Sequence, residues 1–168
     1  MRTRRNREGA TPTDRGSLLV VVACIYVGVL GAFLLAGSAH GTKISETRGP
    51  LVVAGLVLMV VGIAVRQWSV AVLGRFFTVD VRVRPDQTVV ERGPYRWVRH
   101  PSYTGLILTF LGLGLALGNW APLAVLAVIP TAGLVVRIHV EERALLDGLG
   151  DPYRRFAAGR PHLFPGVW

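Results

Sequence analysis

The chain alternates long apolar runs with short charged segments. The first run, SLLVVVACIYVGVLGAFLLAG from Ser17 to Gly37, is long enough to cross a hydrocarbon core of roughly 30 Å as a helix. The polar link HGTKISETRGP follows, and a second run extends from Leu51 to Leu73. Arg66, Gln67 and Trp68 interrupt that run near its end. They fit a snorkelling arginine beside an interfacial tryptophan, or the polar lining of a buried site. From Arg75 to His100 the pattern turns polar, and TVDVRVRPDQTVV alternates around Pro85-Asp86, which predicts a short β-hairpin. Two further runs, Ser102 to Leu117 and Trp120 to Arg137, are separated only by Gly118-Asn119 and predict a tight helical hairpin. Each is short for a crossing and Pro130 is expected to kink the second, so the hairpin is expected to sit deep without wholly spanning.

The pattern therefore predicts an all-α integral membrane protein. It has about four membrane-embedded helices, a C-terminal helical hairpin and a short polar cytoplasmic connection. Composition agrees: 51% of residues are hydrophobic and the mean hydropathy is +0.46. The net charge of +9 is carried by arginine, Lys43 being the only lysine. Arginine blocks at the N-terminus, between Arg75 and Arg99 and after Arg137 place those segments in the cytoplasm by the positive-inside rule, with Lys43 to Arg48 outside. The expected organisation is a basic cytoplasmic tail over 1–16, two transmembrane helices over 17–74 and a third region over 75–168. The expected location is the plasma (inner) membrane, multi-pass, with both termini cytoplasmic. The AGSA at Ala36–Ala39 resembles a signal cleavage site, but the apolar run exceeds the usual length of about 7–15 residues, so an uncleaved anchor is expected.

Several functions are excluded. The basic excess lacks the soluble face and stacking aromatics that nucleic acid requires. A single cysteine, Cys24, rules out an intrachain disulfide and a cysteine zinc site, and is expected to serve packing. The histidines lack metal-ligand spacing, so no metal is expected. Neither a serine nucleophile elbow nor a phosphate-cradling glycine loop is present.

Candidate chemistry gathers where the hairpin opens, in GPYRWVRHPSYTG (Gly93–Gly105) and RIHVEERALL (Arg137–Leu146). Pro101 suits the first position of a helix with His100 as its cap, leaving the amides of Ser102, Tyr103 and Thr104 to receive an anion. Arg99 and His100 can add charge-assisted bonds to it. Arg137 and Glu141, four residues apart, share a helix face and are expected to pair, with Glu142 turned about 100° away. Tyr95 and Tyr103 fit either an interfacial belt or the walls of a slot for a flat heterocycle.

GPYRWVRHPSYTG, followed after the hairpin by RIHVEERALLDGLGDPYRRF and GRPHLFP, resembles the isoprenylcysteine carboxyl methyltransferase family and its wider group of small membrane methyltransferases. The likeness runs from about Arg66 to the C-terminus. It implies S-adenosylmethionine as cofactor, bound at the cytosolic mouth of the helices. The implied partners are membrane lipids and a lipophilic, lipid-linked or prenylated acceptor arriving from the bilayer. Carried over, the cofactor contacts fall on Gln87, Thr88, Val89, Val90, Tyr95, His100, Pro101, Ser102, Tyr103 and Glu141. The substrate-binding arginine matches Arg137, and Arg137 with Glu141 becomes the expected catalytic pair. At Gln87 the enzymes acting on prenylated proteins carry histidine, and the N-terminal half has fewer spans than the eukaryotic members. Methyl transfer to a carboxylate needs no general base, since the acceptor is already ionised at neutral pH. A membrane NADPH-dependent reductase of the sterol or steroid type and a non-catalytic membrane adaptor are the alternative readings.

Overall fold

The structure is a computed structural model describing residues 12–38, 43–44, 48–81 and 83–166. The basic tail preceding them and the prospective cleavage residue Ala39 lie outside the described residues. Among the described residues five helices follow one another: α1 (Pro12–Ser38), α2 (Arg48–Leu73), α3 (Pro101–Ala116), α4 (Trp120–Leu149) and the short α5 (Asp151–Ala157). Single 3₁₀ turns stand at Gly74–Phe76 and Gly93–Arg96. The fold is that of an all-α integral membrane protein. Among the described residues three helices, within Gly16–Gly37, Arg48–Phe76 and Trp120–Leu149, are long and apolar enough to cross a bilayer, and α3 is a shorter apolar partner.

Two expectations need correction. The fourth helix is not as short as its apolar run, because α4 continues without a break through Pro130 and past Arg137 to Leu149, 30 residues in all. Its amphipathic second half keeps the helix going after the apolar pattern ends, so α4 is long enough to span and Arg137 lies inside it. The β-hairpin is absent, and no strand occurs among the described residues. Its centre is only a turn, in which Gln87 N–H donates to the Arg84 carbonyl and Arg84 N–H to the Gln87 side chain, both at 3.0 Å. The residues before and after that turn face the cavity described below instead of each other, so burial against the bundle replaces a ladder.

Lipid solvates apolar side chains as well as a protein core does, so helices in a bilayer associate through close backbone approach. Here α2 packs on α3 and α1 on α4, with α3 against α4 joining the pairs. Gly55 and Gly62 on α2 meet Gly112 and Gly105 on α3, where an added Cβ would lie 2.5–2.6 Å from the opposing backbone. Gly28 on α1 seats against Pro130, and Gly133 on α4 against Cys24, giving that cysteine the packing role expected of it. The large apolar side chains, among them Leu19, Tyr26, Leu30, Val57 and Val60, point outward.

The tight hairpin is as expected: Gly118 takes a positive φ of 68° and the Asn119 side chain caps α4 by accepting from Ala121 N–H at 3.1 Å. Ile44 N–H donates to the Gly118 carbonyl at 3.0 Å, tying the α1–α2 link to this turn. The end of α2, the start of α3 and the far half of α4 therefore share the opposite end of the bundle, where the polar segment and α5 close over them.

Candidate functional site

The segment entering α3 is fastened from both sides. Gly93 has a φ of 58°, and a Cβ there would lie 2.9 Å from Val72, so this turn requires glycine. The turn buries Pro94 and Tyr95, whose hydroxyl donates to the Ser69 carbonyl on α2 at 3.4 Å. Along the other side runs the C-terminal segment. Arg99 and His100 N–H groups donate to the carbonyls of Pro161 and His162 at 3.0 and 2.9 Å, and the Thr104 hydroxyl donates to the Leu163 carbonyl at 2.6 Å.

His100 does cap α3, but through its backbone. Its carbonyl accepts from both Tyr103 and Thr104 N–H, at 3.0 and 3.1 Å, and its side chain makes no capping bond. Of the three amides expected to face an anion, two are thus already satisfied, because the first turn tightens onto the cap carbonyl. The Ser102 hydroxyl accepts from Arg66 Nη1 at 3.2 Å, which brings the interrupting arginine of α2 to the start of α3. Nearby, Trp68 and Trp97 meet edge to face.

A further correction concerns the glutamates. Glu141 takes its hydrogen bond from the Tyr103 hydroxyl at 2.8 Å and lies 3.8 Å from His100 Nδ1, with no bond to Arg137. A shared helix face brought Arg137 and Glu141 into register, but α3 and the 77–81 segment compete for them. Arg137, 4% exposed, donates from Nη1 to the Ser17 hydroxyl at 2.6 Å and from Nη2 to the Val79 carbonyl. The start of α1 and the polar segment thereby close on α4.

Glu142, turned about 100° from Glu141 on the helix, gathers three donors. Its Oε1 accepts from His100 Nε2 and from the Tyr153 hydroxyl, each at 2.7 Å, and its Oε2 accepts from Arg99 Nη1 at 3.1 Å. Arg99 also donates to the Arg160 carbonyl at 2.7 Å and contacts His162 Nε2 at 3.2 Å. A guanidinium only donates, so Nε2 of His162 carries the lone pair. Burial, and next the Arg99 charge, lower the pKa of His162, in keeping with a neutral ring. Burial, seconded by the neighbouring glutamates, raises the hydroxyl pKa values of Tyr95 and Tyr153, so neither phenol serves as a base near neutrality.

These parts surround one cleft of about 920 Å³, counting its mouth. Its polar lining includes Arg99, His100, Ser102, Tyr103, Arg137 and Glu141, and its apolar wall includes Val89, Val90, Leu145, Leu149 and Phe156. Gln87, Thr88 and Tyr95 complete the set, so every cofactor and substrate contact that the resemblance implied reaches the cleft except Pro101, which is fully buried at the start of α3. Tyr95 and Tyr103 are wall residues and not belt residues. The sequence reading missed Glu142 and Tyr153, and also Ser17 and His162. Only the doubled Glu-Glu offered a signal, since Ser17 and Tyr153 become partners through packing between elements distant in sequence. No group of three or more metal-ligating side chains occurs among the described residues.

Comparison with known proteins identifies the family. Residues 54–147 match the isoprenylcysteine carboxyl methyltransferase (ICMT) family. The chain belongs to that family. Protein-S-isoprenylcysteine O-methyltransferase B of Arabidopsis thaliana is 30% identical over 115 residues, covering 67% of this chain and 58% of the plant protein. The protein-S-isoprenylcysteine O-methyltransferase of Schizosaccharomyces pombe is 26% identical over 151 residues, 83% of this chain and 64% of the yeast protein. The uncharacterized protein YpbQ of Bacillus subtilis is 32% identical over 83 residues, 49% of each chain. The chain thus spans between about half and two thirds of these relatives. The family match takes in α3, most of α4 and the loop before them, whereas Ser17, Tyr153 and His162 lie outside it.

Proposed function

We propose that this family member is an S-adenosylmethionine-dependent methyltransferase that esterifies a carboxylate on a lipophilic, isoprenylcysteine-type acceptor at the cytoplasmic face of the membrane. The observation that carries the reading is the convergence on one cleft of residues 87–90, Tyr95, the start of α3 and the far half of α4, with a buried arginine in its wall.

The lining suits the cofactor's functional groups. Glu141 offers a carboxylate to an ammonium group. Ser102, whose oxygen already accepts from Arg66, has its O–H to donate, and Arg99 has Nη2 beyond the nitrogens committed to Arg160, Glu142 and His162; these two suit a carboxylate. Tyr95 and the Val89-Val90 pair provide flat and apolar surface for an aromatic base. The chemistry supplied by the bound cofactor is that of an electrophilic methyl group on a sulfonium.

The protein's own contribution is to hold the acceptor and exclude water. Arg137 is oriented before any acceptor arrives, because Ser17 and Val79 fix its guanidinium. A carboxylate is a stronger partner for arginine than a neutral carbonyl, so an incoming acceptor competes for the position of the Val79 carbonyl. Charge disappears as a cation and an anion become neutral products, and the apolar wall of Leu145, Leu149 and Phe156 favours that change by keeping the local dielectric low. Proton abstraction is not required, which agrees with a site whose phenols stay protonated.

The decisive experiment combines calorimetry of S-adenosylmethionine with the detergent-solubilised protein and transfer of a labelled methyl to an S-farnesylated N-acetylcysteine. Saturable binding with base-labile label on the acceptor is expected. Absence of binding sinks the cofactor reading, and binding without base-labile label on the acceptor sinks the carboxylate reading.

A further inference from the structure

The two adjacent glutamates of α4 do different work. Glu141 lines the cleft, whereas Glu142 lies behind it, only 13% exposed at the side chain, and reaches the cleft through His100. An ionised carboxylate can only accept hydrogen bonds, so the 2.7 Å contact to His100 Nε2 requires the proton to sit on that nitrogen. The ring is also clamped flat. It stacks on Tyr103 at 5.7 Å and 20° and on His162 at 6.3 Å and 4°, which resists a flip exchanging the two nitrogens.

When the ring is neutral with its proton on Nε2, Nδ1 carries a lone pair. Glu141 Oε2 lies 3.8 Å from Nδ1, too far for a hydrogen bond between them. Both residues line the cleft. Two acceptors side by side call for a ligand group with several N–H bonds.

We propose that Glu142 is a positioning residue that fixes His100 as the Nε2–H tautomer, so that His100 Nδ1 and Glu141 form a paired acceptor site for a ligand ammonium group. Arg99 and Tyr153 hold Glu142 in place, and His100 serves the ammonium end of the ligand instead of a carboxylate. The ammonium half of this inference rests on the cofactor reading above, and the tautomer half stands on geometry alone.

The test uses the full chain in detergent with ¹⁵N-labelled imidazole rings, measured at alkaline pH where free histidine is neutral. His100 signals are identified by their loss in His100→Asn. The wild type is expected to carry the His100 proton on Nε2, Tyr153→Phe to keep it there, and Glu142→Gln to mix the two tautomers. A wild-type proton on Nδ1, or an unchanged spectrum in Glu142→Gln, overturns the proposal. Calorimetry supplies the ligand arm: the wild type should prefer S-adenosylmethionine over its deaminated analogue by about tenfold or more, the scale of one charge-assisted bond, and Glu142→Gln should lose that preference. Equal affinity of the wild type for both compounds overturns the ammonium site. Binding of neither overturns it together with the cofactor reading, while the nitrogen spectra still decide what Glu142 does to His100. If Glu142→Gln does not fold, the wild-type spectrum and the wild-type preference carry the decision.

Discussion

Replacing Arg137 by lysine separates an acceptor clamp from a structural tie. The guanidinium is 4% exposed and holds Ser17 on α1 and the Val79 carbonyl at once. A lysine keeps the charge but offers a point donor in place of a planar fork. If the fork grips an acceptor carboxylate with two bonds and lysine retains one, the loss is one charge-assisted hydrogen bond of about 1.5–3 kcal/mol. At 1.36 kcal/mol per decade, that is a fall of about 10- to 150-fold in turnover. S-adenosylmethionine affinity should change by less than about threefold, because the groups assigned to it lie on other side chains of the cleft. The assay is methyl transfer to the farnesylated cysteine in vesicles, with cofactor calorimetry on the same preparation. Ser17→Ala supplies the control, since it removes the α1 tie and leaves the fork intact; its turnover should stay close to wild type. Near-normal turnover in Arg137→Lys refutes the clamp, and an equal loss in Ser17→Ala shows that Arg137 acts through the α1 contact instead.

Three further outcomes follow from the fold. Gly105→Val should abolish folding or lower stability by about 1–3 kcal/mol or more, since even a Cβ would lie 2.5 Å from the Gly62 carbonyl; an unchanged thermal midpoint in detergent contradicts the close α2–α3 packing. His162, whose pKa is lowered in the folded state, binds fewer protons there than in the unfolded chain. Its contribution to stability is therefore present above the unfolded pKa of about 6.5 and is lost as the pH falls through the folded value, so the decline in thermal midpoint between neutral and acidic pH should be shallower in His162→Gln. For topology, Ile44→Cys and Arg155→Cys, each with Cys24→Ala, should label from opposite sides of sealed vesicles. Labelling from one side would reject the arrangement in which the Gly118 turn and the cleft occupy opposite ends of the bundle.

The sequence alone determined what depends on local pattern and on a short contiguous motif. Apolar runs of sufficient length defined α1 and α2, Gly118-Asn119 defined the hairpin, and Pro101 set the start of α3, because these signals act within a few residues of where they are written. The motif from Gly93 to Gly105 also identified five residues of the cleft lining, Tyr95, Arg99, His100, Ser102 and Tyr103. The tertiary structure decided the partners. Alternation around Pro85 resembled a hairpin because period-2 patterning reports a half-buried extended segment without saying what buries it, and here the cleft does so. The i,i+4 spacing of Arg137 and Glu141 guaranteed a common face but not a bond, and Tyr103, Ser17 and Val79 won both groups by lying closer. Glu142 gained its role only when α3, α5 and the C-terminal segment met beside α4, bringing Arg99, His100 and Tyr153 onto one carboxylate. No spacing along the chain encodes such a convergence, because the close approach of helices across the bundle produces it.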